Sequence, residues 1–231
     1  MDLRAHTSQE FEAELRAVRE RLLVMGRQVD DLTEAAGRAL VGQDVALANE
    51  LILADQETDA MELQIDHLCL EVMARRQPVA GDLRFLSAAL KVVIDLERVG
   101  DLGVSIATRV VELDGEPPLV PLEDLLETLT LARGVVSEAV EALVARDVAR
   151  AQQVIDKDGV VDALSARIFE DVVGRMRADP ETVFRATRIQ SISKYIERIA
   201  DHGTNIAELA IFVTTGADIR HRPRTRHGGL S

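Results

Sequence analysis

Apolar residues recur at three- and four-residue spacing along almost the whole chain, the period of an α-helix that buries one face. The first run is the clearest. Phe11, Leu15, Val18, Leu22, Met25, Val29, Leu32, Ala36 and Leu40 predict a helix from about Ser8 to Val41, with Ser8 as its N-cap. Gly42 closes it, and Asp44 is placed to cap a second helix carrying Leu47, Leu51, Ile52, Met61, Ile65, Leu68 and Val72 up to Pro78. A third runs from Gly81-Asp82 to about Leu113. Gly115-Glu116-Pro117-Pro118 and Pro121 then break the pattern and mark a linker. The pattern restarts after it: Leu122 to Val144, Asp147 to Ala178, and, beyond Pro180, Glu181 to Val213.

The restart is a repetition. Leu96-Glu97-Arg98-Val99-Gly100-Asp101 returns as Ile196-Glu197-Arg198-Ile199-Ala200-Asp201. Ala39-Leu40-Val41-Gly42-Gln43-Asp44 returns as Ala142-Leu143-Val144-Ala145-Arg146-Asp147. The offset is 103 in the earlier helices and 100 in the last one of each copy, which puts a three-residue length difference near the hairpin turn. The fold expected is therefore all-α, two tandem antiparallel three-helix bundles related by internal duplication. Residues 1–115 form the first bundle, 116–216 the second, and 217–231 a disordered basic tail.

Composition narrows the picture. There is no Trp and only one Tyr, and helix formers dominate. The formal charge of −13 argues against binding a nucleic-acid backbone. One cysteine, Cys69, excludes an intramolecular disulfide and any cysteine-rich zinc site, and its apolar neighbours Leu68 and Leu70 assign it to packing. No stretch reaches membrane-spanning length and no signal-peptide pattern opens the chain, so a cytoplasmic location is expected.

Each copy carries Glu-x-x-x-Asp (Glu97 with Asp101, Glu197 with Asp201) and Asp-x-x-x-Asp (Asp55 with Asp59, Asp158 with Asp162). On a helix, such pairs put two carboxylates one turn apart on one face. Folding each copy back at its hairpin proline brings the pairs level. Asp59 and Glu97 are each 19 residues from Pro78; Asp162 and Glu197 are 18 and 17 from Pro180. Four converging carboxylates repel one another unless they are protonated or hold a cation. Oxygen-only donors suit hard ions, and the absence of a Glu-x-x-His pair weakens a redox di-iron reading. The expected cofactor is a divalent or trivalent metal ion (iron, manganese, magnesium, calcium or zinc), with Glu62, His202 and Asn205 as peripheral ligand candidates. Surface acids paired with neighbouring arginines would show the same spacing.

Glu197-Arg198-Ile199-Ala200-Asp201-His202 with Asn205-Ile206-Ala207-Glu208, and Arg75-Arg76-Gln77-Pro78-Val79-Ala80-Gly81-Asp82-Leu83-Arg84 followed by Leu96–Asp101, resemble the two signatures of the PhoU family. The resemblance runs from about His6 to Val213. It implies two three-helix bundles and metal binding at the acidic pairs. It also implies a regulator of phosphate uptake and phosphate-starvation signalling, coupling the ATPase of a phosphate ABC transporter to a membrane sensor histidine kinase. The expectation is thus a non-enzymatic protein, a homodimer that meets the membrane only through its partners. The alternative is a carboxylate-bridged metalloenzyme built in a helical bundle. The copies differ: Leu102 and Ser105 stand where the second has His202 and Asn205, and Glu62 where the second has Ser165.

Overall fold

A computed structural model describes residues 3–53 and 56–219, and among them there is no strand. The helices are α1 (Leu3–Gly42), α2 (Val45–Leu53), α3 (Gln56–Arg76), α4 (Ala80–Glu112), α5 (Leu122–Ala145), α6 (Val148–Ala178) and α7 (Val183–Thr215). Ala54 and Asp55, between α2 and α3, lie outside the described residues, as does the expected basic tail beyond Ile219. Helix α1 begins before Ser8, which therefore sits inside the helix and is not its cap. Arg4 and Ala5 are good helix formers and extend the element past its first core residue.

Local chemistry sets the other ends. Asp147 caps α6 by accepting from the Arg150 backbone N–H at 3.0 Å. Asp44 does the same for α2 through Leu47 N–H, also at 3.0 Å. Pro180 opens a single 3₁₀ turn, Pro180–Thr182, capped by Asp179, so α7 starts at Val183, two residues later than the pattern suggests. Gly216 ends α7 at φ 76°, a left-handed conformation that costs glycine nothing.

Within the first copy α1, α2 and α3 pack on α4; within the second, α5 and α6 pack on α7. The copies meet where α1 crosses α5 and α4 crosses α7. Their apolar faces join in one continuous core, from Leu15, Val18 and Leu22 of α1 through Phe85 and Leu96 of α4 to Leu129 of α5 and Ile192 of α7. Both crossings are antiparallel. Asp30 and Arg133 pair across α1 and α5, and Asp95 and His202 across α4 and α7.

The two tightest glycine contacts between helices fall at equivalent positions of the two copies. A Cβ on Gly103 would lie 2.5 Å from Leu32 Cδ2 and 3.1 Å from Thr33 Cγ2. A Cβ on Gly203 would lie 2.8 Å from Val135 Cγ1 and 2.9 Å from the Val136 backbone nitrogen. Leu32 and Thr33 are 103 residues before Val135 and Val136, so the same contact recurs at equivalent positions.

Cys69 is fully buried, and that burial pushes its thiol up to about 12, with Asp66 adding to the rise. Since the thiolate is the nucleophile, native protein is expected to resist thiol reagents at pH 8 and to label fully once denatured. Rapid labelling of the folded chain would show that α3 opens locally.

Candidate metal centre

The first-copy acids lie on facing stripes of α3 and α4. Asp59, Glu62 and Asp66 recur at helical spacing on α3; Glu97 and Asp101 stand one turn apart on α4. Asp59 is exposed, Glu62 and Asp66 are half-buried, and the Glu97 side chain is only 17% exposed. The helices bring these groups close enough to act on one another. Burial pushes the Glu97 carboxyl above its ordinary range, Asp101 pushes it further, Arg98 opposes, and Glu62 and Asp59 on α3 add to the rise. Glu62 is raised the same way, by burial first, then by Asp66 and Asp59, against Arg98, with Asp101 adding from α4.

Arg98 supplies part of the missing positive charge. Its Nε lies 3.4 Å from Glu97 and its Nη1 3.3 Å from Asp101, but it is more than half exposed, so water screens the pairing. It leaves work undone: the Asp66 Oδ1 is buried with no hydrogen-bond partner. The Thr58 Oγ1 beside Gly100 is likewise unpartnered. Asp55, the remaining member of the expected set, lies outside the described residues. A donor set of carboxylate oxygens on a partly dry surface suits a hard cation.

The second copy is arranged differently. Asp158 is half-buried and accepts from Thr204 Oγ1 at 3.1 Å. Glu197 pairs with Lys194 one turn away. Asp201 and Asn205 are exposed, and Asp162 stands at the wall of a cavity shared with Glu197. His202 points between the copies. Its Nδ1 lies 2.8 Å from Asp95 Oδ1 on α4, both side chains being 17% exposed. The positions equivalent to this pair are Leu102 and Tyr195, so the contact has no twin. Nothing in the spacing of acids foretold it, because Asp95 falls on the stripe of α4 away from Glu97.

Among the described residues one carboxylate triad converges within 4.8 Å, and it is not one of the expected sets: Asp30, Asp31 and Glu34 on α1. A cation already serves it. Arg133 of α5, 15% exposed, donates from Nε to Asp30 at 2.8 Å and from Nη2 to Asp30 at 3.0 Å and Glu34 at 2.8 Å. This fork joins the copies. Arg133→Met is expected to cost about 1 kcal/mol in chemical denaturation, because it removes a forked ion pair at a helix crossing while Asp30 and Glu34 keep contact with water. An unchanged denaturation midpoint would mean that the crossing rests on its apolar contacts alone.

A family model for the PhoU domain matches twice, over residues 22–110 and 125–210. The chain belongs to the PhoU family. The two matches restate the internal duplication and together span most of the chain. Among PhoU relatives, the phosphate-specific transport system accessory protein PhoU homolog of Pseudomonas aeruginosa is 38% identical over 96% of this chain and 92% of its own. The crystal structure of PhoU from Pseudomonas aeruginosa superposes with a TM-score of 0.84 at 36% identity, covering 90% of this chain and 100% of that one. The phosphate transport system regulatory protein PhoU from Streptococcus pneumoniae gives 0.85 at 25% identity, covering 90% and 99%. The PhoU fold is thus shared throughout both bundles, and its relatives are transport accessory and regulatory proteins, which leaves the metalloenzyme alternative without support.

Proposed function

We propose that this chain is a non-enzymatic regulator of phosphate transport. It would act at the cytoplasmic face by contact with the ATPase of a phosphate ABC transporter and with a membrane sensor histidine kinase, and restrain phosphate-starvation genes when phosphate is plentiful. The observation that carries the reading is the match of both copies, at near-full coverage, to proteins named as phosphate-transport accessories. No helix among the described residues is long and apolar enough to cross a membrane, so any membrane contact by these helices would run through partners or a surface. A homodimer would present two copies of the acidic face at once.

We place a metal ion in the first copy, held by Asp59, Glu62, Glu97 and Asp101 with Asp55 completing the set. When bound, the ion neutralises carboxylates that otherwise repel across α3 and α4. What the residues do is structural: they fix α3 against α4 at the height of Gly100 and thereby shape the face offered to partners. In the second copy Thr204 and Lys194 already engage Asp158 and Glu197, so its acids are less available to an ion.

The test is affinity capture of the tagged full chain from phosphate-replete and phosphate-starved cells. The transporter ATPase and the kinase should be recovered, with a yield that changes with phosphate. Recovery of neither under both conditions would sink the reading.

A further inference from the structure

Helices α4 and α7 run side by side in opposite directions, with α1 and α5 covering their inner side and α3 and α6 standing to either flank. The outward side of the pair is a single seam. Arg84 donates to the Val213 carbonyl at one end, Asp95 meets His202 in the middle, and Arg188 donates to Glu112 at the other end. Along this seam the charge of the chain reverses. Arg84, Lys91 and Arg98 recur every seventh residue on α4, and Arg109 continues the line. Arg188, Lys194 and Arg198 lie along the α7 side. The carboxylates on these two stripes are Asp95 and Glu112, and His202 and Arg188 already engage them. The whole chain has 27 lysines and arginines against 40 acids, so seven cations against two carboxylates is a local inversion. Lys91 and Arg198 are exposed, and neither forms a salt bridge among the described residues. Arg98 and Lys194 stay more than half exposed while paired.

What stands beside the seam sets the width of its partner. Glu97 and Asp101 flank it toward α3; Glu197 and Asp201 flank it toward α6. Packed helices lie about 8–10 Å apart, close to the distance of about 8 Å over which physiological salt screens a charge. A membrane surface or a nucleic-acid duplex is broader than the seam and would press on both acidic flanks. A single helix, about 10–12 Å across with its side chains, rests on the seam alone. Two helices side by side share one rise per residue, so carboxylates at every seventh position of such a helix come level with Arg84, Lys91 and Arg98.

We propose that the α4–α7 seam is the docking surface for one acidic helix of a protein partner. The line from Arg84 to Arg109 gives it a track of about 37 Å. Charge complementarity of this kind fixes register and speeds encounter. The proposal rests on the reading that this chain works through protein contacts, but its test needs no natural partner.

The test titrates the full chain into a fluorescein-labelled, alanine-based helical peptide of about twenty residues with a glutamate stripe, followed by anisotropy. The same peptide with lysine for glutamate and vesicles of phosphatidylglycerol are run as separate probes. Saturable binding of the glutamate peptide is expected, weakening as salt rises. The double variant Lys91→Glu/Arg198→Glu should bind at least tenfold more weakly, and Arg16→Glu, an exposed site on α1, should bind as the parent does. Should the double variant fail to fold, Lys91→Gln is expected to weaken binding in the same direction. The chain has three lysines, Lys91, Lys157 and Lys194, so zero-length carbodiimide coupling reports position as well: the peptide should join Lys91 or Lys194 and spare Lys157 of α6. No saturable binding overturns the proposal, as does binding of vesicles and not of peptide, coupling at Lys157 alone, or full binding in the folded double variant. A double variant that sediments as a smaller species than the parent also overturns it, by assigning the seam to a second copy of this chain. Failed capture of transporter and kinase leaves this titration intact, so the two readings fail separately.

Discussion

Gly203→Val is expected to lower the thermal midpoint by roughly 6–12 °C, the consequence of about 3 kcal/mol of overpacking in a protein of this size. The reason lies in what the added atoms would meet. A Cβ at Gly203 stands 2.9 Å from the Val136 nitrogen and 3.0 Å from the Val135 carbonyl carbon. Those are backbone atoms of a packed helix and cannot swing aside as a side chain would. The loss arises although valine is a better helix residue than glycine, so its sign isolates packing from propensity. Gly134, one helical neighbour away on α5, supplies the opposite case: an added Cβ has nothing within 4 Å. Gly134→Ala is expected to gain up to about 1 kcal/mol. Gly103→Val should also destabilise, but less, because its nearest contact is the tip of the Leu32 side chain. Calorimetry on the three variants checks the order. A Gly203→Val midpoint equal to the parent's would refute the close approach of α5 and α7.

The double occurrence of that glycine shows why so much of the fold can be read from the chain. Helical spacing of apolar residues survives packing because one helical face has only one way to be buried. A repeat offset of 103 and then 100 states that the burial happens twice. The carboxylate register was legible for the same reason: helices have a constant rise, and Pro78 and Pro180 mark where each hairpin turns. What the spacing does not carry is the partner of each side chain across helices distant in sequence. Asp95 with His202 and Arg133 with Asp30 and Glu34 join residues about a hundred positions apart, and each lone residue looks like ordinary solvated charge. Asp66 follows Glu62 by one helical turn and nothing in that spacing sets it apart; the burial that orphans its Oδ1 comes from packing. The unequal second copy was half-legible, since Gln190 and Ser193 share a helical stripe with Glu197, but the cavity they line depends on how α6 sits against α7.

Glu97→Gln should reverse its effect on stability when metal is added, and that reversal is the strongest available test of the first-copy site. In the metal-free chain, burial and neighbouring carboxylates raise both Glu97 and Glu62 above their ordinary range. The folded state therefore binds more protons than the unfolded state between the ordinary glutamate value and the raised one. Stability contributed by these groups is full below that window and is lost as pH rises through it, so at neutral pH the metal-free chain bears the whole repulsion. Gln at position 97 keeps the shape and removes a charge from Asp101, Glu62 and Asp59. Metal-free Glu97→Gln is thus expected to melt at or above the parent at pH 7, and the gap should close as pH falls toward the carboxylate range.

Metal changes the sign because its ligands must be ionised. At a free ion concentration a hundredfold above Kd, binding adds about 2.7 kcal/mol to the parent, which is roughly 5–11 °C in a chain of this length. Glu97→Gln and Glu62→Gln should lose most of that gain, while Glu197→Gln should keep it. Melting curves with manganese and with chelator, at pH 5 and pH 7, separate the cases. A chain held together by ordinary surface acids paired with Arg98 predicts the contrary: no response to manganese in the parent, and a small destabilisation in Glu97→Gln from the lost ion pair at every pH above the carboxylate range. The two accounts differ in sign for the metal-free variant and in size for the metal-bound parent, so a single set of melts decides between them.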